Sequence, residues 1–124
     1  ADTLVLNGKT HQLWGIEAPD TKQVCPDGWP AGRLAKTRLE ALIEGRTVVC
    51  EEMEPDHYGR ATAICRVDGE DLGALMVREG MAWAFASSNS RAYAQQEDAA
   101  KAERVGIHGH GCDVPWEWRA QQRR

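Results

Sequence analysis

Glu17 and Asp20 stand three positions apart in the stretch LWGIEAPDTKQ, with Pro19 fixing the backbone between them. Two carboxylates in a rigid turn, with the Ala18 carbonyl among them, are hard oxygen donors that suit Ca²⁺ better than zinc or copper. The same residues also make an ordinary solvated turn, so their types alone leave both uses open. Asn7-Gly8 supplies the positive φ pair that a two-residue hairpin requires. A tight turn there pairs Leu6 with Lys9 and Leu4 with His11, and puts Asp2 opposite Leu13 on the face that parity gives to Glu17. Asp2, Glu17 and Asp20 then converge. A second stretch, PDHYGR, sets Tyr58 and Arg60 in a loop with Asp56 and Gly59 as turn formers. An arginine fork grips phosphate bidentately and stabilises charge growing on its oxygens, while a tyrosine stacks or hydrogen-bonds. A hairpin tip with a solvated arginine is the alternative.

The elements that must position these residues are legible around them. TLVL and KTHQLWGI read as strands on either side of the Asn7-Gly8 turn, and VCPDGWP as a loop. In AGRLAKTRLEALIEG the apolar residues Ala35, Leu39, Leu42 and Ile43 recur at helical spacing, and Gly45 stands at the C-terminal cap. RTVVCEEME and ATAICRVDG flank PDHYGR as a second hairpin. DLGALMVREG is a short helix capped by Asp71 and stopped at Gly80, and MAWAFA is a brief strand or a buried connector. SRAYAQQEDAAKAERVG reads as a third helix, from Ser90 to Gly106. The tail IHGHGCDVPWEWRAQQRR lacks a period and is expected to cross the surface, pinned by Trp116 and Trp118. This α+β order suits five short strands in an OB-type barrel with about three helices packed outside, one domain over residues 1–124.

The motifs ADTLVL, QLWGIEAPD and DHYGR, followed by DLGALMVREGMA and a closing PWEWR, occur in the order of one family. The chain resembles the staphylococcal-nuclease-like (thermonuclease) proteins, whose motifs run D-G-D-T, R-L-x-G-I-D-A-P-E and D-x-Y-G-R. The resemblance implies an OB fold carrying calcium-dependent phosphodiester hydrolysis on DNA or RNA. On it, Asp2 and Glu17 hold calcium with the Ala18 carbonyl, Asp20 positions or deprotonates the attacking water, Arg60 clamps the phosphate, and Tyr58 helps seat it. His57 stands where a lysine is frequent. The match departs at Gln12, where the family has a second catalytic arginine. A neutral glutamine cannot form the charged fork, a deficit on the order of 10² to 10⁵ in rate by analogy with lost arginine fingers and oxyanion donors. Glu17 is one methylene longer than the family residue and Asp20 one shorter. The resemblance therefore implies a weakened or repurposed nuclease, with a non-catalytic OB module for nucleic acid, protein or glycan, linked in some bacterial relatives to exopolysaccharide production, as the alternative. Tyrosines that follow the second helix in many relatives are replaced by AFASSNSRAY, where only Tyr93 is near.

Bulk properties bound the reading. A net charge of −4 and a pI near 5.5 give no overall attraction to a polyanion, so nucleic-acid binding requires local cations such as Lys9, His57, Arg60 and Arg91. No run approaches the ~18 apolar residues of a membrane helix, and a monomer is expected. Cys25, Cys50, Cys65 and Cys112 form an even set without a C-x-x-C pair, which favours disulfides in an oxidising compartment, periplasmic or secreted. Cys50 and Cys65 are symmetric about the second hairpin loop and face each other, as a bridge or as two thiols, and Cys25 with Cys112 follows by elimination. His108, His110 and Cys112 alternate with glycine and read as a surface turn rather than a metal site. An opening already inside a strand pattern predicts that any signal segment, and part of the first strand, lies upstream.

Overall fold

The computed structural model describes residues 3–6, 8–56, 59–84 and 92–123. Asp2, Asn7, His57, Tyr58, Ser90 and Arg91 lie outside the described residues, and so do the expectations placed on them. Strand β1 (Thr3–Leu6) pairs antiparallel with β2 (Lys9–Leu13), with Leu6 opposite Lys9 and Leu4 opposite His11 as the tight turn requires. Trp14 and Gly15, the latter at φ +77°, turn the chain out of β2 and into β3 (Ile16–Glu17). Strand alternation is broken there, so the parity of β2 does not carry through to Glu17.

Helix α1 (Ala31–Ile43) buries Ala35, Leu39 and Leu42, and Gly45 beyond its end takes the positive φ of +70° that a chain reversal needs. β4 (Val48–Met53) and β5 (Thr62–Val67) form the second hairpin, with Cys50 opposite Cys65 and the two joined by a disulfide. β5 also lies parallel to β2, pairing Gln12 with Thr62 and Leu13 with Ala63. β6 (Glu70–Asp71) folds back onto β5, and Asp71 caps α2 (Leu72–Arg78) by accepting the Ala74 N–H at 3.1 Å. β7 (Trp83–Ala84), the brief strand in MAWAFA, pairs with β3. The strand path β1-β2-β5-β4, with β6 on β5, is a five-stranded sheet that is open among the described residues. Leu13, Ala63, Cys65 and Val67 face Leu39, Leu42, Leu72, Met76 and Val77 across the main core. A smaller cluster gathers Cys25, Ala31 and Ile107, with Trp29, Trp83 and Cys112 at its edge, around the Cys25–Cys112 disulfide.

Two expectations for the C-terminal part are corrected. Helix α3 (Ala94–Glu103) ends before Gly106, with Arg104 left-handed at φ +53°. The reason is a close backbone approach: a Cβ on Gly106 would lie 2.2 Å from the Gly80 carbonyl oxygen, which accepts the Ile107 N–H at 2.9 Å. The tail is a fourth helix, α4 (Pro115–Gln122), rather than an irregular strap. Pro115 at the first helical position has no intrahelical N–H to lose and a φ already set for helix. Pro115 is buried and Trp118 and Arg119 are half-buried, one helical face, whereas Trp116 is 48% exposed.

The two bridges close loops of very different length, with sequence separations of 15 and 87. Loop-closure entropy then predicts a loss of about 3 kcal/mol on replacing Cys50 and Cys65 by alanine, and about 4.5 kcal/mol for Cys25 and Cys112. Urea unfolding of the two double variants checks the order.

Candidate functional site

The acidic turn is held from three sides. Glu17 pairs with Trp83 across β3 and β7, and its side chain is only 10% exposed. Arg119, from α4, brings a guanidinium nitrogen to 3.7 Å from its carboxylate. A carboxylate removed from water needs a positive neighbour, and this ion pair provides one. Asp20 is half-buried, and its carboxylate accepts the Lys22 N–H at 3.1 Å. The Asp20 N–H donates to the Gln23 side-chain oxygen at 3.2 Å, and the Gln23 N–H returns a bond to the Asp20 carbonyl at 2.8 Å. Gln23, 1% exposed, donates its amide to the Asp113 carbonyl at 2.6 Å. On the remaining side Gly32 lets α1 approach: a Cβ there would lie 2.0 Å from the Asp20 carbonyl oxygen.

Arg60 is positioned by Asp56. The Asp56 carboxylate accepts the Arg60 N–H at 2.9 Å and its Nε–H at 2.7 Å, while the Asp56 N–H donates to the Arg60 carbonyl at 3.0 Å. The Asp56 side chain is 11% exposed and that of Arg60 40%, so a sunken acid orients an arginine that reaches solvent. Gln12 joins the same strand junction: its N–H donates to the Ala61 carbonyl, next to Arg60, at 2.8 Å. The structure thus brings Gln12 beside the residue that follows Arg60, and Glu17, Ala18 and Asp20 into one clamped turn. Their hard oxygens are of the type that suits calcium. Among the described residues no three His, Cys, Asp or Glu side chains gather into a metal-holding group, so a calcium site here needs a further carboxylate, and Asp2 lies outside them.

Sequence reasoning did not find Arg119 or Gln23, because the partners each one holds are far away in the chain. The role of Asp56 had a signal, since it precedes Arg60 by four positions inside a turn. Tyr93 is a core residue rather than a ligand-facing one: it is 5% exposed, donates to the Asp71 carboxylate at 2.8 Å, and lies edge-on to Trp14 at 6.0 Å. A Cβ on Gly15 would lie 2.9 Å from the Tyr93 ring, so this tyrosine supports the turn from β2 into β3. In HGHGC, Cys112 is bridged to Cys25, and His110 stacks on Trp29 at 4.4 Å and meets Asp27 at 2.6 Å. Asp27 is held below the usual carboxylate range, chiefly by that histidine contact.

The family described as Staphylococcal nuclease homologue matches residues 10–109. The staphylococcal-like nuclease CAN1 of Arabidopsis thaliana is 30% identical over 114 residues, 90% of this chain and 33% of the relative. The succinoglycan biosynthesis protein ExoI of Rhizobium meliloti is 31% identical over 126 residues, 97% of this chain and 61% of the relative. The chain thus spans about a third of the plant relative and three fifths of the bacterial one.

Burial first, and then the bond to Asp71 and its charge, push the Tyr93 phenol above its ordinary value of 10.0. The unfolded chain therefore ionises this group before the folded one does. Its contribution to stability is complete below pH 10.0 and is lost as pH rises beyond that value. Urea midpoints measured upward from pH 9 are expected to fall above about pH 10, and to fall less in Tyr93→Phe.

Proposed function

Because the chain belongs to the staphylococcal nuclease homologue family, we propose that it binds single-stranded DNA or RNA and cleaves its phosphodiester bonds slowly with calcium, in an oxidising compartment. The observation that carries this reading is the hold of Asp56 on Arg60 through both the backbone N–H and Nε–H, at 2.9 and 2.7 Å. A guanidinium whose plane is fixed before substrate arrives stabilises charge on a phosphate without reorganising during the reaction. Arg60 is the clamp, and Tyr58 and His57, which precede it in the sequence, would help bind the substrate. Asp20, whose turn is fixed through Gln23, orients the attacking water and accepts its proton. Glu17, the Ala18 carbonyl and Asp2 would hold calcium, which when bound supplies positive charge to a phosphate oxygen. Gln12 offers a neutral hydrogen bond where a second cation would act on the transition state, and this limits the rate. The two disulfides and the absence, among the described residues, of a helix able to cross a membrane support a periplasmic or secreted setting.

The likeness to ExoI over 97% of the chain favours a second reading, an OB module that binds without turnover and serves exopolysaccharide production. Binding that survives EDTA and Asp20→Ala, with no cleavage under any condition, would select it.

Labelled single-stranded DNA and RNA, incubated with the chain in calcium or in EDTA, test the first reading. Slow cleavage is expected in calcium only, reduced on the order of 10² by Arg60→Gln and raised at least about tenfold by Gln12→Arg. No cleavage by either the parent or Gln12→Arg removes it. Calcium is also expected to raise the melting temperature of the parent, because a ligand that binds only the folded form stabilises it by mass action. Asp20→Ala keeps that shift and loses the cleavage, whereas Glu17→Ala loses both.

A further inference from the structure

The acidic turn poses an electrostatic difficulty for any nucleic acid that reaches it. Glu17 and Asp20 repel a phosphodiester, and a chain of net charge −4 supplies no general attraction. Cations must therefore stand at the turn itself. Arg119 does so from the other end of the chain, 3.7 Å from Glu17. That separation is longer than a made N–H···O hydrogen bond, so the pair is a charge contact without a closed fork. The exposures are unequal: the Glu17 side chain is 10% exposed and that of Arg119 42%, so the acid is sunken while the arginine side chain is open to solvent.

The position of Arg119 is also built in. The Cys25–Cys112 bridge and the bond from Gln23 to the Asp113 carbonyl fix the start of the segment that leads to α4, and buried Pro115 seats its first turn. Gln23 holds Asp20 with its other amide atom, so the acidic turn and the approach to Arg119 share one anchor. A planar guanidinium with several donors, half in solvent and fixed beside an acidic turn, is suited to a phosphate oxygen.

We propose that Arg119 is a second phosphate-binding cation of this site, contacting the backbone of a single-stranded nucleic acid together with Arg60; this rests on the nucleic-acid reading above. The contact leaves the Glu17 carboxylate beside the phosphate, where a cation binding Glu17 strengthens the arrangement rather than displacing it.

The test is binding of a fluorescent oligothymidylate in EDTA, read as affinity against salt concentration, so that it does not depend on cleavage. Arg119→Gln alone removes a cation from a sunken carboxylate, so the deciding comparison is Glu17→Gln against the double variant Glu17→Gln with Arg119→Gln, each checked for folding by circular dichroism. The double variant is expected to bind about tenfold more weakly than Glu17→Gln, with the slope of log affinity against log salt smaller by about 0.7, the value of one lost phosphate contact on a single strand. Arg119→Lys is expected to keep that slope. Equal affinity and equal slope in the two compared variants overturn the proposal, since Arg119 then serves Glu17 alone. If Arg60→Gln weakens binding while the Arg119 change does not, only this inference falls. If the parent shows no salt-dependent binding, the nucleic-acid reading falls and this inference with it.

Discussion

A glutamine side chain with almost no exposure links the two ends of this molecule. Gln23 accepts the Asp20 N–H at 3.2 Å through its oxygen and donates to the Asp113 carbonyl at 2.6 Å through its nitrogen. A buried amide is costly unless both of its ends are satisfied, so neither backbone segment can move without leaving a polar group stranded. The turn that holds Asp20 and the strap that leads into α4 are therefore one unit. The Cys25–Cys112 bridge reinforces that unit covalently, and Gly32 lets α1 close against it from below. Rigidity at this point matters to the role proposed for Asp20, because an acid that orients a water molecule works only over a narrow range of positions.

Charge is arranged around this unit by the same logic. Among the described residues, sunken acids have a cation or a donor fixed to them: Glu17 faces Arg119, Asp56 holds Arg60, and half-buried Asp71 receives the Tyr93 hydroxyl and the Ala74 N–H. In the first two pairs the carboxylate is sunken and the arginine is about two fifths exposed. Such pairs add little net stability, because desolvation offsets much of the attraction. Their effect is to orient two guanidinium groups at the surface of an otherwise acidic protein. The basic residues of α1 are used differently, since Arg38 is drawn away to Glu79, which raises its pKa.

Tyr93 connects the site to the core. Its ring supports Gly15, where β2 turns into β3, and its hydroxyl ties that support to the cap of α2. The left-handed backbone of Gly15 and the ring beneath it together set where Glu17 emerges. The sequence motif around Glu17 therefore depends on a tyrosine more than seventy residues further along the chain.

What the sequence determined alone was everything governed by local geometry. The Asn7-Gly8 register, the Asp71 cap, the apolar stripe of α1 and the facing of Cys50 and Cys65 all follow from periodicity and turn chemistry over a few residues. The acidic turn and the Arg60 loop were visible for the same reason, as short motifs with fixed spacing. Tertiary structure decided what lies across long separations: β2 beside β5, β3 beside β7, Gln23 on Asp113 and Arg119 on Glu17. No spacing encodes such contacts, because they arise only when separate elements bury their apolar faces against one core and leave their polar groups to find partners there. Even α4, local as a helix, was hidden, since its eight residues carry too little period to be read without the surface they pack on.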